Sequence, residues 1–159
     1  MELRAYQYDF ISATYRAWAS GHRRVLGVMP TGAGKTFTAA HMARDAVVKR
    51  QRRGVFLTHR VNLLEQTSKA WAAWGIPHGL LVDGEVHRGD APFHIISAAT
   101  ARRIGMPPLG KGDLLIADEV QRGDSDGLMG MFKDAFVLGL SGSPVDSENR
   151  PLGALFDRM

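Results

Sequence analysis

The glycine-rich stretch MPTGAGKT, which begins at Met29, is the part of the chain best suited to bind phosphate. Gly32 and Gly34 can adopt backbone angles that are closed to other residues, so the amides of this loop can approach an anion. Lys35 then reaches the β- and γ-phosphates of a nucleotide, and Thr36 offers a hydroxyl to Mg²⁺. The full pattern GxxxxGK[ST] has glycine at the position of Met29, but that residue only begins the turn and need not touch phosphate. The stretch therefore predicts a nucleotide site.

The sequence around this loop has the order that a phosphate loop requires. The apolar segment RVLGVM precedes it and the helical segment KTFTAAHMARDAVV follows it. The loop therefore lies between a strand and a helix N-terminus, whose partial positive charge favours anions. A glycine-rich turn that merely caps a helix is the simpler alternative, but it does not explain why the strand, the glycines, the lysine and the threonine occur together.

An acidic pair supplies the other groups that ATP hydrolysis needs. In LLIADEV, apolar residues lead into Asp118 and Glu119. Asp118 is placed to hold Mg²⁺ through its water shell, and Glu119 is placed to polarise the attacking water. An acidic pair also occurs where a strand simply ends at the surface, so on its own it is weak evidence. Together with the phosphate loop it predicts an ATPase site.

The elements that must position these residues are short strands and helices in alternation. Short apolar runs occupy residues 25–29, 55–58, 80–82, 94–97, 114–118 and 136–141. Most of them do not alternate between apolar and polar residues. Segments of helical length and period occupy residues 6–20, 35–50, 60–74 and 125–135. Such runs are typical of strands covered on both faces, and the alternation indicates an α/β fold, a mostly parallel sheet with helices on both faces.

The chain has room for one layered domain. Its 159 residues are near the commonest size of a single domain. Residues 105–112, with prolines and glycines, predict a surface loop. We expect the domain to occupy residues 1–143 and residues 144–159 to form a loop that leads out of the sheet.

The composition excludes several other classes of protein. The chain has no cysteine for disulfides or zinc, and its six histidines lack the spacing of metal ligands. No apolar stretch approaches the roughly 20 residues that span a bilayer, and no secretory signal is visible, so we expect a cytoplasmic protein without membrane contact. The formal net charge of +4 favours polyanionic partners, although the basic run at residues 49–53 is most simply the solvated end of a helix.

Taken together, these motifs resemble the first RecA-like domain of superfamily 2 helicases and translocases. The likeness covers nearly the whole chain and is greatest for the branch related to DEAD/DEAH proteins and type III restriction helicase subunits. It implies a RecA-like domain that uses ATP and Mg²⁺ and acts on nucleic acid, on DNA more than on RNA. The order and spacing of the motifs along one chain are hard to obtain by accident.

The resemblance implies a nucleotide-binding role for the first two motifs. LRAYQYDFI resembles the family's adenine-recognising segment, so Gln7 is expected to hydrogen-bond the adenine edge, with Arg4 and Tyr6 beside it. MPTGAGKT is a common form of motif I, in which the first glycine often differs. The residues expected to bind the cofactor are Arg4, Gln7, Thr31, Gly32, Ala33, Gly34, Lys35 and Thr36, with Lys35 also counted as catalytic.

The resemblance implies nucleic-acid contacts and coupling for the remaining motifs. FLTHRVNLLEQT resembles motif Ia and IISAATARR the next backbone-contacting element, LIADEVQ resembles motif II, and LGLSGSP resembles motif III, which couples the ATP site to the nucleic-acid face. The expected nucleic-acid contacts are Thr58, His59, Arg60, Ser97, Thr100 and Arg103. The expected catalytic residues of motif II are Asp118, Glu119 and Gln121, and the expected coupling residues are Ser141, Gly142 and Ser143.

Two positions depart from the family's usual pattern. Gln121 stands where an acid or a histidine is usual in motif II, and an amide can still donate and accept hydrogen bonds. Gly142 stands between the two hydroxyls of motif III, where the family usually has alanine. We therefore expect the coupling between nucleotide and nucleic acid to differ in detail.

In the family, ATP binds between two RecA-like domains, and the second supplies arginine fingers. This chain has one such domain, so we expect a second one in the parent chain or in a partner. Arginine fingers contribute about 10³- to 10⁵-fold in rate. The isolated chain is therefore expected to bind ATP-Mg, hydrolyse it slowly and not unwind nucleic acid.

Two other classes of function remain open at this stage. One is a different phosphate-loop enzyme, such as a small kinase or a switch GTPase, although the guanine-reading Asn-Lys-x-Asp of a GTPase is absent from the sequence. The other is a non-catalytic module that binds nucleic acid or a partner and keeps a vestigial site. The intact Lys35, Thr36, Asp118 and Glu119 argue against that module.

Overall fold

The fold is organised around one mostly parallel sheet. The computed structural model describes residues 2–82, 85–87, 89–122, 127 and 132–159. Within these residues, seven strands form a sheet in the order β1-β7-β6-β2-β5-β3-β4. The strands are β1 Arg24–Val28, β2 Gly54–Thr58, β3 Gly79–Val82, β4 Glu85–His87, β5 Phe93–Ser97, β6 Leu114–Ala117 and β7 Phe136–Ser141. All neighbours pair in parallel except β3 and β4, so the predicted α/β fold is confirmed.

The longer α-helices lie where the sequence periodicity predicts them, and short turns extend two of them. The α-helices are α1 Ala5–Ala19, α2 Lys35–Arg44, α3 Leu64–Ala73 and α4 Ala98–Ile104. A π-helical turn, Asp45–Lys49, extends α2 and a 3₁₀ turn, Val61–Leu63, precedes α3. The short helix α4 and the antiparallel edge strand β4 were not predicted, because seven and three residues are too few to show a period. The helix predicted at residues 125–135 falls largely outside the described residues.

The sheet is covered on both faces by separate apolar clusters. On one face Phe56, Leu138 and Leu140 pack with residues of α1, α2 and α3. On the other face Leu57 and Val137 pack with residues of α4 and of the C-terminal segment. Neighbouring residues on one strand enter different clusters because strand side chains alternate between faces. Both faces are therefore dry, as the unalternating apolar runs predict.

The strand register brings the predicted motifs to one end of the sheet. Val28 lies beside Ser141 at the ends of β1 and β7, and Thr58 lies beside Ser97 at the ends of β2 and β5. Since β6, which ends at Ala117, lies between β7 and β2, the acidic pair sits at the centre of this row. We call this end the carboxyl edge, and the opposite end, where these strands begin, the amino edge.

Residues 144–159 turn back along the sheet. Val145 forms an antiparallel bridge with Pro151, and Phe156 packs over Gly139 of β7. The segment then reaches β1, where the Leu26 N–H donates to Arg158 O at 2.7 Å. The loop predicted to lead out of the sheet thus returns to the outer side of β1. Its role as a connection to a second domain remains a prediction.

Candidate nucleotide and nucleic-acid site

The phosphate loop joins the end of β1 to the start of α2. Gly32 and Gly34 have φ angles of 83° and 80°, in the left-handed region that favours glycine. Helix α2 begins at Lys35, so its unpaired N–H groups open toward the loop. The Lys35 side chain is buried, and its Nζ donates to Met29 O at 3.2 Å. The loop thus presents amides, a helix N-terminus and an ammonium group at one place.

The structure explains why Met29 can replace glycine. Met29 is absent from the residues with positive φ, so its backbone needs no glycine. Its side chain is buried, and its N–H donates to Ser141 O at 2.9 Å, which joins the loop to β7. The sequence prediction that this departure is tolerable agrees with the geometry.

Asp118 has a buried carboxylate whose hydrogen bonding is incomplete within the described residues. Its N–H donates to Leu57 O at 2.8 Å, which holds the backbone against β2. One carboxylate oxygen, Oδ1, is buried and has no hydrogen-bond partner among the described residues. Burial, with the nearby charge of Glu119, raises the pKa of Asp118 to about 6. Such a group is a strong acceptor for a cation.

Glu119 is held in an unusual backbone conformation among cations. Its φ is 57°, a region that non-glycine residues seldom adopt. Its carboxylate lies 3.9 Å from Lys35 Nζ, 3.8 Å from Arg60 Nη2 and 3.9 Å from Arg122 Nε. These separations exceed hydrogen-bond length, so they are ion pairs without a fixed bond. The carboxylate is largely shielded from solvent, with 14% of the side chain exposed.

Gln121 connects the acidic pair to motif III. Its Nε2 donates to Glu119 Oε2, and its Oε1 lies 2.7 Å from Ser141 Oγ, which can donate to it. Ser141 Oγ also lies 2.5 Å from Ser143 O. One hydroxyl proton can serve only one acceptor at a time, so Ser141 can switch between Gln121 and the backbone of motif III. The Gln121 side chain, which stands where an acid or a histidine is usual in motif II, thus links Glu119 to Ser141.

Gly142 lies over the phosphate loop. A Cβ at this position would meet Gln121 Nε2 and Thr31 Oγ1 at 3.7 Å and Lys35 Nζ at 3.8 Å. These are ordinary van der Waals distances, and the φ of Gly142 is not positive. The glycine is therefore not required by space or by backbone angle, and alanine would fit here.

A cavity of about 290 Å³ adjoins the phosphate loop on the side of α1. Its lining includes Arg4, Tyr6, Gln7 and Gly34. Gln7 is buried, its Oε1 accepts from the Arg4 N–H at 2.9 Å, and its Nε2 donates to Ala33 O at 3.3 Å. Tyr6 OH also donates to Ala33 O, at 3.0 Å. Each polar atom of Gln7 keeps capacity for one more hydrogen bond, which a purine edge can use.

The residues present fit Mg²⁺ held together with nucleotide phosphate. Mg²⁺ is usually bound through one or two carboxylates, waters and substrate phosphates. The buried, unpartnered Asp118 Oδ1 is a suitable acceptor, and the exposed Thr36 begins α2 beside Lys35. Within the described part of the chain, no cluster of three or more His, Asp or Glu residues could hold a metal by itself.

The motif Ia residues end β2 next to the acidic pair. The Thr58 side chain is buried, and its Oγ1 accepts from the Arg60 N–H at 3.2 Å, which shapes the turn after the strand. His59 is partly buried. The Arg60 side chain is 45% exposed and reaches toward Glu119. Arg60 therefore lies between the ATP-site residues and the adjoining surface.

The next predicted contacts divide into a buried pair and an exposed arginine. Ser97 caps α4, since its Oγ accepts from the Thr100 N–H at 3.0 Å and donates to Thr100 Oγ1 at 2.9 Å. Both side chains are buried, whereas Arg103 is exposed. The geometry gives Ser97 and Thr100 a structural role in starting α4. Their contact with nucleic acid remains a prediction.

Sequence reasoning missed Arg122. It lies three residues after Glu119 on a 3₁₀ turn, Val120–Arg122, and its Nε is one of the cations around that carboxylate. The spacing was visible in the sequence, but the turn that makes the spacing meaningful was not. A basic residue after the acidic pair has many other uses, so the pattern alone carries little information.

Comparison with known proteins places this geometry in a family. A family model described as "Type III restriction enzyme, res subunit" matches residues 1–146. The chain belongs to this family. A type I restriction enzyme EcoAI endonuclease subunit of Escherichia coli is 29% identical over 161 residues, which is 91% of this chain and 20% of that protein. The chain thus spans about a fifth of the length of this curated relative.

Solved structures share the fold of this member of the type III restriction enzyme family. The UvsW helicase of bacteriophage T4 superposes with a TM-score of 0.72 at 19% identity, covering 99% of this chain and 59% of that one. The Sulfolobus solfataricus SWI2/SNF2 ATPase core, solved in complex with dsDNA, has a TM-score of 0.74 at 17% identity, covering 98% and 35%. The predicted resemblance to superfamily 2 helicase domains is confirmed. In the described residues, no helix is long and apolar enough to cross a membrane.

Proposed function

We propose that this chain is the ATP-binding and hydrolysing motor domain of a DNA-dependent helicase or translocase. Membership of the type III restriction enzyme family supports the helicase-like ATPase class. The curated relative is a restriction endonuclease subunit, and one structural neighbour was solved with dsDNA. These relatives favour DNA over RNA as the partner.

The observation that carries the proposal is the continuous contact from the phosphate loop to motif III. Lys35 and Gln121 both approach the Glu119 carboxylate, and Gln121 reaches Ser141. A glycine-rich turn that merely capped a helix would need none of these polar groups. Their convergence at the carboxyl edge supports an ATPase site, because ligands of open α/β sheets bind beyond the carboxyl ends of the strands.

The residues divide the work of ATP hydrolysis among them. The loop amides and Lys35 bind the phosphates, and the cavity beside Gln7 takes the adenine. Glu119 orients the attacking water, and Gln121 relays its position to Ser141. Mg²⁺, when bound, would neutralise phosphate charge, with Asp118 and Thr36 as its protein partners.

Contacts with DNA are proposed to be with the backbone. Arg60, His59 and Arg103 lie on segments that follow or flank the ends of β2 and β5. Cations that contact phosphates give binding that weakens with salt and depends little on sequence. We therefore expect the affinity for an oligonucleotide to fall steeply between low and physiological salt.

The isolated chain is proposed to hydrolyse ATP slowly. The family's arginine fingers come from a second RecA-like domain, and the neighbours of known structure are longer than this chain. Loss of an arginine finger lowers the rate by about 10³- to 10⁵-fold. The second domain is proposed to lie in the parent protein or in a partner.

The test is ATP affinity by calorimetry with Mg²⁺, together with phosphate release in the presence of single-stranded DNA, duplex DNA or RNA. We expect Mg-ATP to bind and turnover to be slow, with DNA stimulating more than RNA. No Mg-ATP binding would overturn the proposal. Brisk stimulated turnover would contradict the slow-hydrolysis part and would mean that the chain completes its site by self-association.

A further inference from the structure

Arg60 is the residue in which the two functions of the carboxyl edge meet. It follows β2, on the segment expected to face nucleic acid, yet its Nη2 lies 3.8 Å from the Glu119 carboxylate of the ATP site. The positive charge of Arg60 also acts on the neighbouring Asp118, whose pKa it lowers against the larger raising effect of burial. The same guanidinium thus lies beside the Glu119 carboxylate and on a segment that is predicted to meet nucleic-acid phosphate.

The ion pair between Arg60 and Glu119 is weak enough for Arg60 to exchange Glu119 for another anion. Its 3.8 Å separation is longer than a charge-assisted hydrogen bond, and 45% of the Arg60 side chain is exposed. Ion pairs at exposed positions contribute little net stability. A phosphate group, in contrast, matches the planar fork of arginine and can accept two hydrogen bonds at once. A nucleic-acid backbone can therefore compete for Arg60.

Glu119 is poised to respond when one of its contacts is lost. Its left-handed φ of 57° is a conformation that persists only when the surroundings hold it. The Arg122 N–H holds the Glu119 carbonyl at 3.0 Å, and the Gln121 amide with the cations Lys35, Arg60 and Arg122 surrounds its carboxylate. Of these, Arg60 is the one on the segment predicted to contact nucleic acid. Removing it from the carboxylate loosens the side chain that is proposed to orient water.

We propose that Arg60 is a positioning residue that couples nucleic-acid binding to ATP hydrolysis. When paired with Glu119, it restrains that carboxylate; when a nucleic-acid phosphate takes Arg60, Glu119 is released to orient the attacking water. This inference rests on the proposed function of the site. No covalent step is added to the reaction, since only the partner of one guanidinium changes.

The exchange must be reciprocal. If phosphate and Glu119 compete for Arg60, removing the charge of Glu119 must tighten nucleic-acid binding as much as the pair weakened it. An ion pair whose arginine is exposed, as here, is weak, so we expect about a two- to fivefold change in affinity. The gain must depend on Arg60, because a general loss of negative charge would act through any residue.

The experiment measures the affinity of a fluorescent single-stranded oligonucleotide by anisotropy at low salt, without nucleotide. The proteins are wild type, Glu119→Gln, Arg60→Ala and the double variant. We expect Glu119→Gln to bind about two- to fivefold more tightly than wild type, and the same change to have no effect in the Arg60→Ala background. An equal gain in both backgrounds, or no gain in either, would overturn the inference.

Arg122 provides the matched control, since it is also an arginine at 3.9 Å from the same carboxylate. The gain from Glu119→Gln should persist in the Arg122→Ala background, because Arg122 lies on the turn after motif II and not on the motif Ia segment. Loss of the gain in that background would assign the coupling to the cation cluster as a whole and overturn the specific role of Arg60.

A kinetic readout completes the test. Arg60→Ala should raise the basal ATPase rate about two- to fivefold and lower the ratio of stimulated to basal rate, whereas Arg60→Lys should retain part of the stimulation. A basal rate that stays at the wild-type value would contradict the release of Glu119. If wild type binds neither ATP nor any oligonucleotide, the proposed function itself fails, whereas binding with independent effects of the substitutions contradicts only the coupling.

Discussion

At the amino edge of the sheet Asp113 and Asp157 bind backbone amides, whereas at the carboxyl edge Asp118 keeps one oxygen unpaired within the described residues and Glu119 faces other side chains. Asp113 accepts from the N–H groups of Arg53 at 3.1 Å and Gly110 at 2.9 Å. Asp157 accepts from the N–H groups of Arg23 and Arg24 at 2.7 and 2.8 Å. Both carboxylates thereby satisfy backbone groups at the points where β2 and β1 begin.

The carboxyl edge shows the opposite arrangement. Among the described residues, Asp118 keeps a buried oxygen without a hydrogen-bond partner; its pKa is raised, and Glu119 has a left-handed backbone. Asp157, in contrast, has a lowered pKa because backbone N–H groups stabilise its charged form. If the fold were optimised only for stability, Asp118 and Glu119 would also be expected to accept hydrogen bonds from backbone N–H groups, as Asp113 and Asp157 do. Perturbed groups that cluster in one place are typical of functional sites.

Of the substitutions that test this contrast between the two edges, Lys35→Ala should have the largest effect: it should abolish Mg-ATP binding. Lys35 is the cation of the phosphate loop, and its ammonium group is expected to lie beside the β- and γ-phosphates. Calorimetry measures the effect. Lys49→Ala is the matched control, because Lys49 pairs with Asp45 on the π-helical turn that follows α2, away from the loop. The ATP affinity of this variant should remain that of wild type. Equal affinities for Lys35→Ala and wild type would remove the loop assignment.

Glu119→Gln, also at the carboxyl edge, should lower the rate of ATP hydrolysis without lowering ATP affinity. The amide keeps the size of the side chain but loses the charge that orients and polarises water, so turnover should fall by about 10²- to 10⁴-fold. ATP affinity should change little, because Glu119 is proposed to act on water and not on the nucleotide. Single-turnover phosphate release at saturating Mg-ATP measures this effect. A variant that turns over like wild type would assign the water-orienting role to another residue.

Asp118→Asn should stabilise the chain in the absence of nucleotide. The pKa of Asp118 is raised from 3.8 to about 6, so the folded state binds more protons than the unfolded state between these values, and its stability falls as pH rises through this window. Above pH 6 the ionised group therefore destabilises the fold, on the order of 1 to 3 kcal/mol. The amide should remove this cost at pH 7.5, and the gain should vanish near pH 4. Urea unfolding at both pH values measures it, and a loss of stability at pH 7.5 would contradict the burial argument.

The candidate site could be predicted from the sequence because its residues act locally. Met29 to Thr36 form a single loop, and Asp118 with Glu119 directly follows a strand, so their chemistry could be predicted from neighbours in the chain. The parallel sheet itself followed from unalternating apolar runs. Because parallel strands end at one edge, the meeting of these motifs was predictable as well.

The remaining features depend on contacts that span the fold. The approach of Arg60 to Glu119 requires β2 to lie beside β6, and sequence order alone does not give the order of strands in a sheet. The burial of Ser97 and Thr100 also depends on the fold, because a buried hydroxyl that caps a seven-residue helix has the same sequence signature as a surface one. Their contact with nucleic acid remains a prediction. The return of residues 144–159 to β1 depends on Asp157, whose partner Arg23 lies 134 residues away in the chain.

The smallest effect expected is that of Asp157→Ala, and it should have the opposite sign and pH dependence to Asp118→Asn. The lowered pKa of Asp157 means that its charge stabilises the fold above pH 3.8, and that this contribution is lost as pH falls through the folded pKa below that value. Because the side chain is exposed, solvent screening limits the loss to about 1 kcal/mol or less. Urea unfolding at pH 7.5 should show a small destabilisation that shrinks as the pH is lowered below 3.8, while Mg-ATP affinity stays at the wild-type value. A change in ATP affinity would mean that the two edges are coupled through β1, and the division between stabilising and functional carboxylates would then not hold.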